Sequence, residues 1–241
     1  MAVTTSQIIG NVTTILQDTG AVRRWSDSEL LGWLNLGQVQ IVSAKPDSMA
    51  ITTEMLLAAG VTKQQLPDGT ANYQDAIGTT LRAGIKLIDL VRNLGSTGIS
   101  AGKAISIIDR KLLDQFNPDW HNMTPSTSIV HFMYDEKVPR VFYVTPAPHA
   151  TTAVWVEFTY IAKPNVLTSG QNIELPDEYA PILMDYILFR AYSKESASQG
   201  FIQKALAYYA SFKDALGNYT LIEHEVDPNN TSFSASPSIQ R

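Results

Sequence analysis

The sequence predicts an α+β fold: terminal helices forming a helical bundle, an inserted antiparallel β-rich region, and an extended C-terminal tail. Three observations carry this reading. Helical periodicity is confined to the two ends of the chain. Short runs of branched and aromatic residues, separated by turn signals, fill the middle. After Thr220 no period remains, and Asp227-Pro228-Asn229-Asn230 leads into a Ser-rich end.

Element by element, the first helix is expected to be capped by Thr5 or Ser6, to turn Ile8, Ile9, Val12, Ile15 and Leu16 to one face, and to end at Gly20. Ser26-Asp27-Ser28-Glu29 then reads as a capping box. It opens a helix whose stripe is Leu30, Trp33, Leu34, Gly37 and Ile41, closed by Lys45-Pro46 because the residue before proline avoids helical angles. Strands are expected at 48–57, 62–66 and 85–91, with Pro67-Asp68-Gly69 as a turn, and a short helix between Asp109 and Phe116. Runs 129–134 and 141–145 flank a hairpin loop. In the following strand Val154, Val156, Phe158 and Tyr160 face one side and Trp155, Glu157, Thr159 and Ile161 the other, which predicts a central strand. Two more helices follow. Ala180, Leu183, Met184, Ile187, Leu188 and Ala191 line the first; Phe201, Ala205, Tyr208, Tyr209, Phe212 and Leu216 line the second. A break near Gly200 predicts an antiparallel hairpin. The expected organisation is a helical bundle from 1–46 and 175–219, a β-rich insertion from 47–174, and a tail from 220–241.

Composition narrows the function. With 44% hydrophobic and 17% charged residues, the 241-residue chain can bury a core. A net charge of −5 argues against tight nucleic-acid binding, which needs clustered Lys and Arg. Zero cysteines exclude disulfides, thiolate metal sites and a Cys nucleophile. The opening residues lack a basic and apolar leader, and no window is apolar enough to span a bilayer, so the expected protein is made in a cytoplasm and has no membrane partner.

Chemistry is hard to find in the sequence. Gly95–Lys103 (GSTGISAGK) invites a phosphate-loop reading, yet Gly98 and Gly102 are one residue too close and Ala104 stands where a Mg²⁺-binding hydroxyl belongs. His121, His131, His149 and His224 have no metal-ligand spacing. Asp135-Glu136 falls in a hairpin tip, and Asp177-Glu178 at a helix start, where negative charge suits the macrodipole. Arg23-Arg24-Trp25 is the sole basic doublet beside an aromatic and is expected at the entrance to the second helix. No catalytic, metal or cofactor-binding residue is assigned. The competing class is an enzyme with a site around Trp120, His121, His131 and Tyr134.

One ordered set of motifs adds to this. It begins with Arg24-Trp25-Ser26-Asp27-Ser28-Glu29-Leu30-Leu31, Leu34-Asn35 and Ala44-Lys45-Pro46. It continues through Leu87–Gly95, Ile108-Asp109-Arg110 to Trp120, Tyr134-Asp135-Glu136, Pro139 and Phe142–Pro148. It closes with Leu175–Tyr179, Asp185–Ser193, Phe212 and Leu216-Gly217. Together these resemble tailed-phage head-to-tail adaptor proteins of the short-tailed type, similar to tail tubular and gatekeeper-type adaptors. Residues 47–83 and the tail match nothing in that pattern. The resemblance implies a virion structural protein forming a ring of twelve copies beneath the dodecameric portal protein. Such a ring prolongs the channel through which genomic DNA passes and docks the tail nozzle protein. It implies a helical part and a C-terminal tail that engage the portal, with Asp227, Pro228, Phe233, Ile239 and Arg241 as portal-binding candidates, and a β-rich part facing the tail. Another minor tail or nozzle protein is the alternative within the structural class.

Overall fold

The computed structural model describes residues 2–20, 22–195 and 199–226, with 218–226 as backbone alone. In chain order the helices are α1 (Thr5–Ile15), α2 (Asp27–Ala44), α3 (Arg110–Phe116), α4 (Ala180–Lys194) and α5 (Gln199–Val226). The strands are β1 (Ala50–Leu56), β2 (Lys63–Gln65), β3 (Gly84–Asn93), β4 (Ser106–Ile107), β5 (His131–Tyr134), β6 (Val141–Thr145) and β7 (Trp155–Ala162). They form two compact units, Met1–Lys45 with Val166–Arg241, and Pro46–Asn165. The fold is α+β, with the helices of the chain ends in one unit and the sheets in the other.

In the helical unit, α4 packs against α1, α2 and α5. Three neighbours explain why its buried residues spread beyond one stripe, adding Ile182, Tyr186 and Tyr192 to the expected Leu183, Ile187, Leu188 and Ala191. Gly37 of α2 lets the helices close together: a Cβ there would lie 3.0 Å from the Tyr186 ring and 3.1 Å from Leu183 Cδ2. The α4–α5 hairpin is zipped by aromatic rings. Tyr192 stacks on Tyr208 at 5.7 Å and on Phe201 at 5.8 Å, while Tyr186 meets Phe212 at 5.4 Å. Late residues of α4 thus meet early residues of α5, as an antiparallel pair requires.

The helix ends depart from expectation in four places. Thr4, not Thr5 or Ser6, caps α1: its hydroxyl accepts from Gln7 N at 3.2 Å and its own N–H donates to Gln7 Oε1 at 2.9 Å. Thr5 is buried instead, with Oγ1 donating to Thr168 O and accepting from Gly170 N. The helix stops at Ile15 rather than Gly20, because Gln17 takes the left-handed conformation (φ 55°). Its N–H bonds Thr14 O and that of Asp18 bonds Thr13 O, the paired closure of a Schellman motif. Only half of the second capping box forms. Ser26 Oγ accepts from Glu29 N at 3.3 Å, but the Glu29 carboxylate accepts from Lys194 Nζ at 2.6 Å, where a charged donor replaces a neutral one. Finally, α5 runs to Val226 through residues expected as tail, since no glycine or proline interrupts the chain between Gly217 and Pro228. The segment Val166–Glu174 goes with the helices, held by Asn35 to Leu167 and by Glu174 N donating to Gln38 Oε1 at 3.1 Å.

The β-rich unit holds two sheets. One has the order β1-β7-β3, entirely antiparallel, with β7 central as its two-sided apolar character predicts. The other has the order β2-β6-β5-β4. Its β5–β6 hairpin pairs Tyr134 with Phe142, but β4, which the sequence did not announce, pairs in parallel with β5. Two residues cannot show alternation, so β4 had no signal. Residues 46–49 form a 3-10 turn rather than the start of β1. Phe158 and Tyr160 stack at 4.7 Å in a core that includes Leu87, Leu90, Phe132 and Phe142.

Two polar residues stitch the sheets together. Asn93, at the end of β3, is buried, and its Nδ2 donates to Lys103 O at 2.9 Å and Ile129 O at 2.8 Å. Its Oδ1 accepts from Ile129 N at 2.8 Å. Tyr134 of β5 accepts from Leu87 N of β3 at 3.3 Å and donates to Pro139 O at 3.0 Å.

Candidate assembly surfaces

Helix α3 is short, so its orientation depends on what ties it down. Asp109 caps it, accepting from Lys111 N at 2.7 Å. At 100° per residue, Arg110 and Asp114 share one edge, and Leu112 and Phe116 share another. The polar edge is the one anchored. Arg110 and Asp114 are ion-paired at 3.6 Å, Trp120 Nε1 donates to Asp114 at 2.7 Å, and the Arg110 guanidinium lies 5.6 Å from the centre of the Tyr143 ring. The apolar edge is turned out: Leu112 is 46% and Phe116 81% exposed, and no residue of α3 is buried. The Arg110 and Asp114 side chains are themselves 62% and 46% exposed, so α3 lies on the surface along both edges and its apolar stripe is not buried as in the usual surface helix.

A second apolar display comes from two loops against the three-stranded sheet. Asp75 organises the first, accepting from Ile77 N at 3.1 Å and Thr79 N at 2.7 Å. The second passes through Gly98 at φ 77°, where a Cβ would come 2.7 Å from Ala76 and 3.1 Å from the Trp155 ring, so glycine is needed for the loops to touch. Ile77 and Ile99 stand beside this contact, 85% and 77% exposed. They border a cleft of about 290 Å³ whose floor includes Glu54, Arg92 and Glu157. Glu54 and Glu157 are direct partners across β1 and β7, a like-charge pairing that is unfavourable in a sheet. Arg92 is ion-paired with Glu157. Glu54 accepts from the Thr53 hydroxyl at 3.3 Å.

A third display lies on α5, where Ile202, Leu206 and Tyr209 follow at i, i+4 and i+7 and are all exposed.

The sequence's chemical candidates do not converge. Among the described residues no three His, Asp or Glu side chains gather as a metal group. The Gly95–Lys103 loop leads into β4 rather than a helix, so no helix N-terminus backs it as a phosphate site. His149 Nδ1 accepts from Thr152 N at 3.1 Å, closing a turn, and His121 packs edge-on to Trp120 at 5.2 Å. The His224 side chain lies outside the described residues. Tyr134 lines a cleft of about 910 Å³ beside α3, but Trp120, His121 and His131 do not. Burial pushes the Tyr134 phenol above its ordinary range, and both its bonds are structural. Asp177 Oδ1 accepts from Val3 N at 2.9 Å, and Glu136 accepts from Lys86 Nζ at 3.0 Å.

A family model described as SU10 adaptor protein matches residues 3–235, nearly the whole chain. The chain belongs to the SU10 adaptor protein family. Membership agrees with the head-to-tail resemblance of the sequence motifs, and makes the protein a phage adaptor of a structural class. No curated protein matches the chain.

In this adaptor the basic doublet serves the fold. Arg23 is ion-paired with Asp27 of α2 and Arg24 with Glu195, and Trp25 is buried. The Asp18 carboxylate accepts from Arg24 N and Trp25 N at 3.0 Å each, which holds its pKa below the usual carboxylate range. The candidate portal residues Asp227, Pro228, Phe233, Ile239 and Arg241 lie outside the described residues. The surfaces on α3, α5 and the two loops were missed by sequence reading. A clue existed in Leu112 and Phe116, but periodicity does not say which side a helix buries.

Proposed function

We propose that the adaptor is a non-enzymatic part of the virion neck. Twelve copies close into a ring beneath the dodecameric portal protein, extend the channel for genomic DNA and dock the tail nozzle protein. The family match over residues 3–235 carries this reading. The exposed apolar surfaces on α3, α5 and the loops support it, because such patches on a soluble chain mark contacts with partners. The unit with Met1–Lys45 and Val166–Arg241 is assigned to the portal side, and its end, including Asp227, Pro228, Phe233, Ile239 and Arg241, to the portal contact. The unit Pro46–Asn165 is assigned to the tail side. The net charge of −5 suits a lumen along which DNA slides without adhering.

The test is mass photometry of the purified adaptor mixed with its portal ring. Twelve copies of 26.5 kDa add about 318 kDa on ring closure. No gain with folded protein and intact portal overturns the reading. Truncation after Asp227 is expected to weaken attachment while leaving the thermal melt unchanged; equal attachment would remove the end of the chain from the portal contact.

A further inference from the structure

We propose that the adaptor's helical unit makes the ring seam: Ile202, Leu206 and Tyr209 of α5 pack onto the outward stripe of α2 in a second copy, where Gly32 receives Leu206. This rests on the ring reading above and names the surfaces that would close the ring.

Helix α2 carries no Asp, Glu, Lys or Arg from Leu30 to Ala44. A helix at the surface ordinarily turns charged residues to water. The buried side of α2 holds Leu34, Gly37 and Ile41, and the opposite side exposes Gly32, Leu36, Val39 and Ser43. Ser43 adds little polarity there, because its hydroxyl donates to Val39 O at 2.7 Å. The subunit's own packing does not call for Gly32: a Cβ there would meet nothing within 4 Å, whereas one on Gly37 would meet Tyr186. Glycine inside a helix costs stability, and close approach by another chain gives it a use.

A ring needs two different patches on each chain, because a self-complementary patch closes a dimer and stops. The second patch is on α5, and the two match in spacing. Gly32, Leu36, Val39 and Ser43 stand at i, i+4, i+7 and i+11, and so do Ile202, Leu206, Tyr209 and Lys213. By that repeat, helices crossing at a shallow angle seat the side chains of one between those of the other. They match in size, since α5 offers three large side chains and α2 a glycine and a serine. They also match in height. Both helices run antiparallel to α4: Glu29 meets Lys194 and Gly37 meets Tyr186, while Tyr192 meets Phe201 and Tyr186 meets Phe212. Gly37 and Phe212 thus share a level on α4, and counting back along each helix brings Gly32 to within about 1.5 Å of the level of Leu206. A closed ring has no rise between neighbours, so with these helices along its axis Leu206 arrives at Gly32 of the next copy. The footprint is small. A stripe about 27 Å long and 10 Å wide covers roughly 300 Å², against about 800 Å² per partner in a stable interface. Such a seam does not hold free subunits together and closes where the portal gathers them.

The experiment is mass photometry of the full-length adaptor, alone and with its portal, beside circular dichroism melts. Wild type is expected to be a monomer alone and a ring on the portal. Gly32→Leu fills the receiving position where the subunit itself has open space. It should lower ring assembly by about tenfold or more while the melt stays unchanged or rises slightly. Leu206→Glu, at a side chain 62% exposed, should give the same loss with an unchanged melt. Because the chain has no cysteine, Leu36→Cys can carry a maleimide-diazirine as the one labelled position. An equal mixture of isotope-labelled and unlabelled protein is irradiated on the portal, and the linked peptides are read by mass spectrometry. The expected links join Leu36→Cys to α5 of a different copy. Links to another α2, to the same chain or to the portal give the stripe a different occupant and overturn the seam. If wild type forms rings and Gly32→Leu and Leu206→Glu form them equally well, this seam is wrong and the ring stands. If wild type never gains mass on the portal, the ring reading falls and the seam with it.

Discussion

Asn93→Ala removes the amide that joins the two sheets, and the size of the loss follows from its bonds. Three side-chain hydrogen bonds disappear, to Lys103 O, Ile129 O and Ile129 N, all between 2.8 and 2.9 Å. A net bond contributes about 0.5–1.5 kcal/mol, and the Ile129 N–H left buried without an acceptor adds about 1–3 kcal/mol more. The expected destabilisation is about 2.5–7.5 kcal/mol, or roughly 10 °C or more in the melting temperature of a unit this size. Differential scanning calorimetry measures it. Hydrogen exchange localises it, since the Ile129 amide should exchange faster while amides of α4 do not. Asn93→Asp separates hydrogen bonding from packing. The introduced carboxylate still accepts from Ile129 N but faces two carbonyl oxygens, so its folded pKa is raised. Its neutral form is then favoured on folding, and this variant should be most stable relative to wild type below about pH 4 and lose ground as pH rises. An Asn93→Ala melt within about 3 °C of wild type, with Ile129 exchange unchanged, would refute the stitch.

Three further outcomes are expected. Gly37→Leu should cost about 3 kcal/mol or more by urea denaturation, because even a Cβ lies 3.0 Å from the Tyr186 ring and a full side chain must push α2 from α4. Gln17→Gly should stabilise the adaptor by about 0.5–1 kcal/mol in the same assay, since glycine occupies the left-handed position without strain. Asp18→Asn should flatten the acid limb of the stability curve: its folded pKa is lowered, so its contribution is present above about pH 4 and lost as pH falls through the folded value. A pH series of thermal melts checks it.

The terminal helices were legible because a stripe repeated over several turns has one simple reading. The central place of β7 was legible for a related reason: Val156 and Phe158 on one face and Trp155 and Ile161 on the other are strand-forming apolar residues, although Trp155, Glu157 and Thr159 stay only half-buried. Asn93 was not. It sits in Val91-Arg92-Asn93-Leu94, where nothing local marks a residue whose partners are Lys103 and Ile129. The Glu29 carboxylate misled for the same reason, since its position three residues after Ser26 fits a capping box and the competing Lys194 comes from another helix.

Helix α3 shows most clearly what a sequence leaves open. Its boundaries follow from Asp109 as cap and Asn117-Pro118 as stop, and its apolar edge from the four-residue spacing of Leu112 and Phe116. Neither observation says whether that edge is covered by the same chain or by another. The answer depends on Trp120 and Tyr143, which hold the opposite edge through Asp114 and Arg110. Had the polar edge been free, α3 would be expected to roll Phe116 inward and gain about 2 kcal/mol or more of apolar burial. Among the described residues that gain is forgone. In the ring proposed above, the same burial would drive association between subunits.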